Sequence, residues 1–329
     1  MSRRILITGG AGFLGSLLAR ELLAGPVALG GSAPGEIGEL VLADLAEPPA
    51  DLRADPRVRP VVGELAGAVG GLGEVDAVFH LAGVVSGAAE ADFDLGMRTN
   101  VDGTRAVLEY ARRHRTPPVL VFSSSLAVFG NDPALPPLGV VGDDTLPRPQ
   151  SSYGIQKFIG EQLVADYTRK GFVRGRSVRL MTVSVRPGKP NAAASSFLSG
   201  IVREPLAGQR AVCPVPPDTA VALSSPRRTL DGLARAAEVD DATWGSRTAT
   251  NLPALTTTPR EMAAALDRVT GSATSELIDW TEDPAIGAIV RSWPAVFDTP
   301  RAHALGLTAE PSFDDIVRAY QNSVQWKTG

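Results

Sequence analysis

Near its start the chain runs Arg4-Ile5-Leu6-Ile7-Thr8, then Gly9-Gly10-Ala11-Gly12-Phe13-Leu14-Gly15, then Leu17, Leu18, Leu22 and Leu23 at helical spacing. A continuous apolar run reads as a strand buried on both faces, which is the habit of parallel sheets covered by helices. The glycine-rich turn joins that strand to a helix without side chains in the way. Glycines at 9, 12 and 15, or at 10, 12 and 15, let backbone amides and the helix N-terminus approach a pyrophosphate. The alternative use of such a turn is a tight strand-to-helix connection alone.

The units that follow repeat the pattern. Residues Gly25 to Gly38 are rich in Gly and Pro and read as a surface loop. Glu39-Leu40-Val41-Leu42-Ala43-Asp44 reads as a second strand ending in a carboxylate. An acid there hydrogen-bonds the adenosine ribose and repels a 2′-phosphate, which favours NAD over NADP. Val61 to Leu65 looks like the third strand and its exit, and Ala77 to Gly83 the fourth, with Leu81, Ala82 and Gly83 offering room for a flat ring. His80 inside that strand reads as a satisfied core histidine. A helix from about Asp94 carries Asn100. Pro118 to Phe122 is a fifth strand with Ser123-Ser124-Ser125 at its carboxyl end, where open parallel sheets bind ligands. Arg179 to Val185 is a sixth. These units predict a Rossmann-like doubly wound α/β sheet with right-handed crossovers.

Ser151-Ser152-Tyr153-Gly154-Ile155-Gln156-Lys157 opens a helix continued by Phe158, Leu163 and Tyr167. Residues four apart share a helix face, so Tyr153 and Lys157 aim at one place. A phenol with a pKa near 10 is a poor base at neutral pH, and an ammonium beside it favours the phenolate. That pairing suits removal of a proton from an alcohol.

A net charge of -4 argues against a nucleic-acid surface, and Cys213 alone excludes an intrachain disulfide or a Cys-rich metal site. No apolar run reaches membrane length, and the N-terminus enters a strand rather than a signal peptide. The expectation is a soluble cytoplasmic protein without a bound metal.

Taken together, Gly9-x-x-Gly12-x-x-Gly15, Asp44, His80-Leu-Ala-Gly83, Asn100, Ser123-Ser-Ser125 and Tyr153-x-x-x-Lys157 resemble an extended short-chain dehydrogenase/reductase, of the NAD-dependent epimerase/dehydratase type. The resemblance implies NAD as cofactor, bound by Gly9, Gly12, Phe13, Leu14 and Gly15, with Leu81 to Gly83 bordering it and Asn100 supporting the region. It makes Ser125 the catalytic serine, from the pattern Ser124-Ser125-Leu126-Ala127-Val128-Phe129-Gly130, and has Lys157 hold the nicotinamide ribose as well as tune Tyr153. Glu64, followed by Leu65, stands where the family usually has an adenine-contacting Asp. A homodimer through the helices holding Asn100 and Lys157 is also implied.

Beyond residue 188 the pattern changes. Nucleotide-sugar epimerases of this type carry Asn-Pro where this chain has Lys189-Pro190, and an Arg-Asp-aromatic run where it has Ser225-Pro226-Arg227-Arg228. The stretch Arg186-Pro-Gly-Lys189-Pro-Asn-Ala-Ala-Ala-Ser195, the Arg203-Glu204-Pro205-Leu206 run, Ser225-Pro226-Arg227 and Val84-Val85-Ser86-Gly87 resemble the D-erythronate dehydrogenases. That implies oxidation of the C2 hydroxyl of a four-carbon sugar acid. A carboxylate beside the reacting carbon calls for a cation, and Lys189, Arg186 and Arg227 are candidates, with Ser86 and Ser125 on the substrate side. The alternatives are a nucleoside-diphosphate-sugar 4-epimerase and a non-catalytic NAD-binding sensor. The expected domains are residues 1–188, with segment 224–240 returning to them, and a smaller lid mainly from 189–329.

Overall fold

The structure, a computed structural model, describes residues 2–188 and 192–328. Strands β1 (Arg3–Thr8), β2 (Ile37–Asp44), β3 (Val58–Val62), β4 (Ala77–His80), β5 (Val119–Ser125) and β6 (Arg174–Leu180) lie parallel in one sheet. Three short strands follow: β7 (Thr182–Val183), β8 (Ala211–Cys213) and β9 (Val221–Ser224). Then β10 (Thr250–Asn251) joins the first sheet at its edge, giving the order β10-β6-β5-β4-β1-β2-β3. With β11 (Leu255–Thr257) and β12 (Ile278–Trp280), two small sheets form, β11-β9-β7 and β12-β8.

The chain winds outward from β1 in both directions, so strand order reverses between β1 and β4. In such sheets the crevice at the carboxyl ends of those two strands is where ligands bind. Alternation along the strands fills both faces. Ile5, Ile7, Leu40, Leu42 and Phe79 pack on Leu18 and Leu22 of helix Phe13–Leu23 and on Leu233 of helix Pro226–Glu238. Leu6, Val41, Val78, Leu120 and Phe122 pack on Val107, Leu108 and Val164 from two other helices. Burying each such side chain contributes about 1.5–3 kcal/mol. A separate cluster from the C-terminal part holds Leu198, Ile201, Leu223, Met262, Leu266, Val290 and Ile316. Helix Pro226–Glu238 interrupts that part and packs on the first sheet. The helix Pro259–Thr270 starts as its sequence indicates, with Thr258 accepting from the Glu261 amide and Pro259 in the first turn.

Several boundaries differ from the sequence reading. β6 begins at Arg174 rather than Arg179, because Arg176 is fully buried, with its guanidinium over Trp244 and paired with Asp241. β3 ends at Val62, so Glu64 precedes and Leu65 opens the helix Leu65–Gly70. The 25–38 segment is not a free loop. Leu29 is buried, and the Gly30 and Gly31 amides each donate at 2.7 Å to carbonyls of Ala237 and Glu238. Asn100 lies in a π-helical turn, Met97–Asp102, rather than in regular helix. Among the described residues, no helix is long and apolar enough to cross a membrane.

Candidate active site

The three serines ending β5 are used in three directions. Ser123 Oγ donates to the His80 carbonyl at 3.0 Å, and Ser124 Oγ donates to Glu161 at 2.5 Å. Ser125 borders the cavity, is hydrogen-bonded to the Tyr153 phenol, and accepts from the Ala127 amide at 3.2 Å. Opposite them starts the helix Ser152–Arg169, capped by Ser151, whose hydroxyl accepts from the Gly154 amide. One turn separates Tyr153 from Lys157. Lys157 is buried, donates from Nζ to the Ser123 carbonyl at 2.8 Å, and lies 5.8 Å from the Tyr153 ring centre.

The electrostatics differ from the simple pairing of phenol and ammonium. Burial pushes the Tyr153 phenol up to about 12, against the hydrogen bond from Ser125 and the charge of Arg186, which both lower it. Burial also brings Lys157 down to about 8, opposed by the charge of Glu161. Arg186, from the segment after β7, thus joins Lys157 as a cation near Tyr153, while Lys157 Nζ, over the Tyr153 ring, also donates to the backbone of β5. Burial, reinforced by the charge of Arg203, in turn lowers the pKa of Arg186, and Tyr153 raises it.

At the other end of the cavity the glycine turn follows β1. Gly9 has φ +71°, and a Cβ there would meet the Ala82 amide at 2.8 Å. At Gly15 a Cβ would stand 2.1 Å from the Gly9 carbonyl, so both positions require glycine. Helix Phe13–Leu23 has Gly12 at its N-cap and no side-chain cap, which leaves first-turn amides open to an anion. The Asp44 carboxylate accepts from the Ala11 amide at 2.9 Å and the Leu45 amide at 2.7 Å, tying the end of β2 to that turn. These residues fit a dinucleotide.

Asn100 and His80 sit beneath this region. Asn100 accepts from the Val84 amide at 2.8 Å and donates to Val84 O and Gln156 Oε1, which fixes the segment after β4. His80 hydrogen-bonds Thr8 and Thr104 through its two ring nitrogens. Thr104 donates to Asn100 O and Thr8 accepts from the Ala82 amide, which assigns the ring proton to Nε2. Burial pushes His80 down to about 3, so it is a neutral core residue.

One cavity of about 310 Å³ gathers Gly9, Gly12, Phe13, Leu14, Gly15, Leu81, Gly83, Ser86, Ser125, Tyr153, Lys157 and Arg186. Ser86 also accepts from the Ala194 amide at 3.2 Å, joining the loops on either side. Glu64 is exposed and Leu65 packs on the core; neither lines the cavity. Arg227 lies on an exposed helix face paired with Asp231 at 2.9 Å, because Pro226 starts a helix whose buried side faces the sheet. Lys189 falls outside the described residues. Sequence reasoning missed Leu126, Met181, Thr182, Ala193, Ser195 and Trp293 in the wall. It also missed Glu161, although its spacing of four from Lys157 was a signal.

Comparison with known proteins places this geometry among relatives. The model of the NAD dependent epimerase/dehydratase family matches residues 5–220. The D-erythronate dehydrogenase of Cupriavidus necator is 50% identical over 96% of this chain and 97% of its own length. The D-erythronate dehydrogenase of Haemophilus influenzae is 42% identical over 96% and 98%. A solved nucleoside-diphosphate-sugar epimerase from Agrobacterium tumefaciens superposes with a TM-score of 0.83 at 38% identity, covering 96% of this chain and 92% of its own. By the family match and by these relatives, the chain belongs to the NAD dependent epimerase/dehydratase family.

Proposed function

We propose that this enzyme uses NAD to oxidise the C2 hydroxyl of D-erythronate, giving 2-dehydro-D-erythronate. The observation that carries the reading is Arg186 in the same cavity as Ser125 and Tyr153, close enough to act on the phenol electrostatically. A 2-hydroxy acid presents its carboxylate one carbon from the reacting centre, and a cation there holds it by a charge-assisted hydrogen bond. Lys189, in the same segment, is the second candidate. Relatives at 50% and 42% identity bearing the D-erythronate dehydrogenase name support the substrate.

When bound, NAD supplies the hydride acceptor. The chain's own residues do the rest. The glycine turn from Gly9 to Gly15 receives the pyrophosphate, Asp44 the adenosine ribose, and Lys157 the second ribose. Leu81, Ala82 and Gly83 border the ring, while Asn100 holds their segment. Tyr153 takes the C2 hydroxyl proton as base, assisted by the groups that lower its pKa, Ser125 and Arg186. Ser125 hydrogen-bonds the substrate oxygen as it becomes a carbonyl. Ser86 lines the substrate end. The same reading holds the enzyme to be cytoplasmic and a homodimer, and the exposed apolar Ile155 and Phe93 on the Tyr153 helix and its neighbour support the dimer.

A nucleoside-diphosphate-sugar epimerase is the second reading, favoured by the name of the 38% identical solved relative. One experiment separates the two: NADH production from D-erythronate, L-erythronate, D-threonate and the erythronolactone, with UDP-galactose epimerisation assayed alongside. The expected result is NADH from D-erythronate well above its isomers and the neutral lactone. Epimerisation without NADH from any acid would overturn the proposal.

A further inference from the structure

Trp293 lines three neighbouring spaces at once. They are the catalytic cavity, a small void of about 10 Å³, and an outer groove of about 370 Å³ containing Leu138, Gly139 and Arg291. The cavity and the void share Leu126 and Thr182; the void and the groove share Ala220 and Pro294. The three spaces are therefore in series, and Trp293 is the residue that lines all of them. We infer that Trp293 sets the chain length of the sugar acid this enzyme accepts. This rests on the oxidation proposed above and adds the residue that limits it to short substrates.

The wall is held firmly. Trp293 follows the helix Pro284–Ser292 and precedes Pro294. On either side the segment is pinned, by the Asn131 amide to Ser292 O at 2.8 Å and the Val141 amide to Val296 O at 2.9 Å. The indole packs between the Leu126 cluster and the C-terminal core. Its Nε1–H is buried without a protein partner. With the carboxylate at Arg186 and C2 at Tyr153, the C3–C4 end of a four-carbon acid points away from the charged end. For Trp293 to set the length, an added hydroxymethylene group must meet this wall of the cavity. A chain end stopped by such a wall is penalised roughly tenfold to hundredfold in kcat/KM.

The test is kcat/KM for D-erythronate and for five- and six-carbon acids of the same C2 configuration, in wild type, Trp293→Ala and Trp293→Leu. The ratio of long to short substrates within one preparation does not depend on how much of a variant is folded. Wild type is expected to favour the four-carbon acid at least tenfold. Trp293→Ala should raise the long-to-short ratio by about tenfold or more, with Trp293→Leu between. A ratio unchanged within about twofold in both variants, or a wild type oxidising long acids equally well, overturns the inference while leaving the dehydrogenase intact. A wild type that makes no NADH from any sugar acid removes the proposed oxidation, and this inference with it.

Discussion

Glu161 and Arg179 form a bidentate ion pair, 2.8 Å along both arms, with both side chains almost wholly buried. Ser124 donates to the same carboxylate, and the guanidinium lies 4.7 Å from the centre of the Phe129 ring. Because Glu161 is one turn beyond Lys157, the pair fixes the rotation of the Tyr153 helix against β5 and β6. It also leaves a carboxylate that favours the protonated lysine.

Removing one partner strands the other. Glu161→Leu or Arg179→Met should each lose about 3–5 kcal/mol in urea unfolding. The double variant should lose less than the sum of the singles, since neither charge of the pair is then left buried without the other. Additive losses in this cycle would show that the two side chains act independently.

Tyr153→Phe removes the base and keeps the ring. NADH formation should disappear while NAD affinity stays within a few-fold. A variant keeping more than about a tenth of kcat, a barrier change under roughly 1.4 kcal/mol, would take proton removal away from Tyr153.

Much of this site was legible because its parts are local. A buried strand, a glycine turn and a helix spell out the phosphate-binding end, and an i, i+4 pair spells out Tyr153 and Lys157. What the sequence hid depends on distant contacts. Arg176 looks like a surface residue until Asp241 and Trp244 arrive from a later helix, which is why the sequence pattern starts β6 only at Arg179. Trp293 reaches the cavity from a Pro-rich connection with no periodicity to give it away. Arg227 has the charge for an anion but sits on the outward side of its helix. The balance of burial against nearby charge at Tyr153 also needs coordinates, since depth cannot be read from spacing.

Cofactor choice turns on Asp44. The enzyme should prefer NAD to NADP in kcat/KM, and Asp44→Ala should shrink that preference at least tenfold, an effect of about 1.4 kcal/mol. Since Asp44 also holds the Ala11 amide, part of the change should appear as weaker NAD binding. An unchanged ratio would remove the carboxylate from ribose recognition.

His80 predicts a slope of stability with pH. Its folded pKa, about 3, lies below the unfolded value near 6.5, so only the unfolded chain binds this proton in between. Its contribution is complete above pH 6.5 and is lost as pH falls. Between pH 7.5 and 5 the loss is about 2 kcal/mol. His80→Gln, compared with wild type in urea at both pH values, should flatten the slope by that amount; an unaltered slope assigns it to other groups.

The central claim is that hydride leaves C2 of the acid while Tyr153 takes the hydroxyl proton. D-Erythronate deuterated at C2 tests it most directly, with the label followed by mass spectrometry of both products. The account requires deuterium in the reduced cofactor and none in the 2-dehydro acid, with no transfer from substrate deuterated at C3. Deuterium retained in the product acid, or transferred from C3, would contradict it.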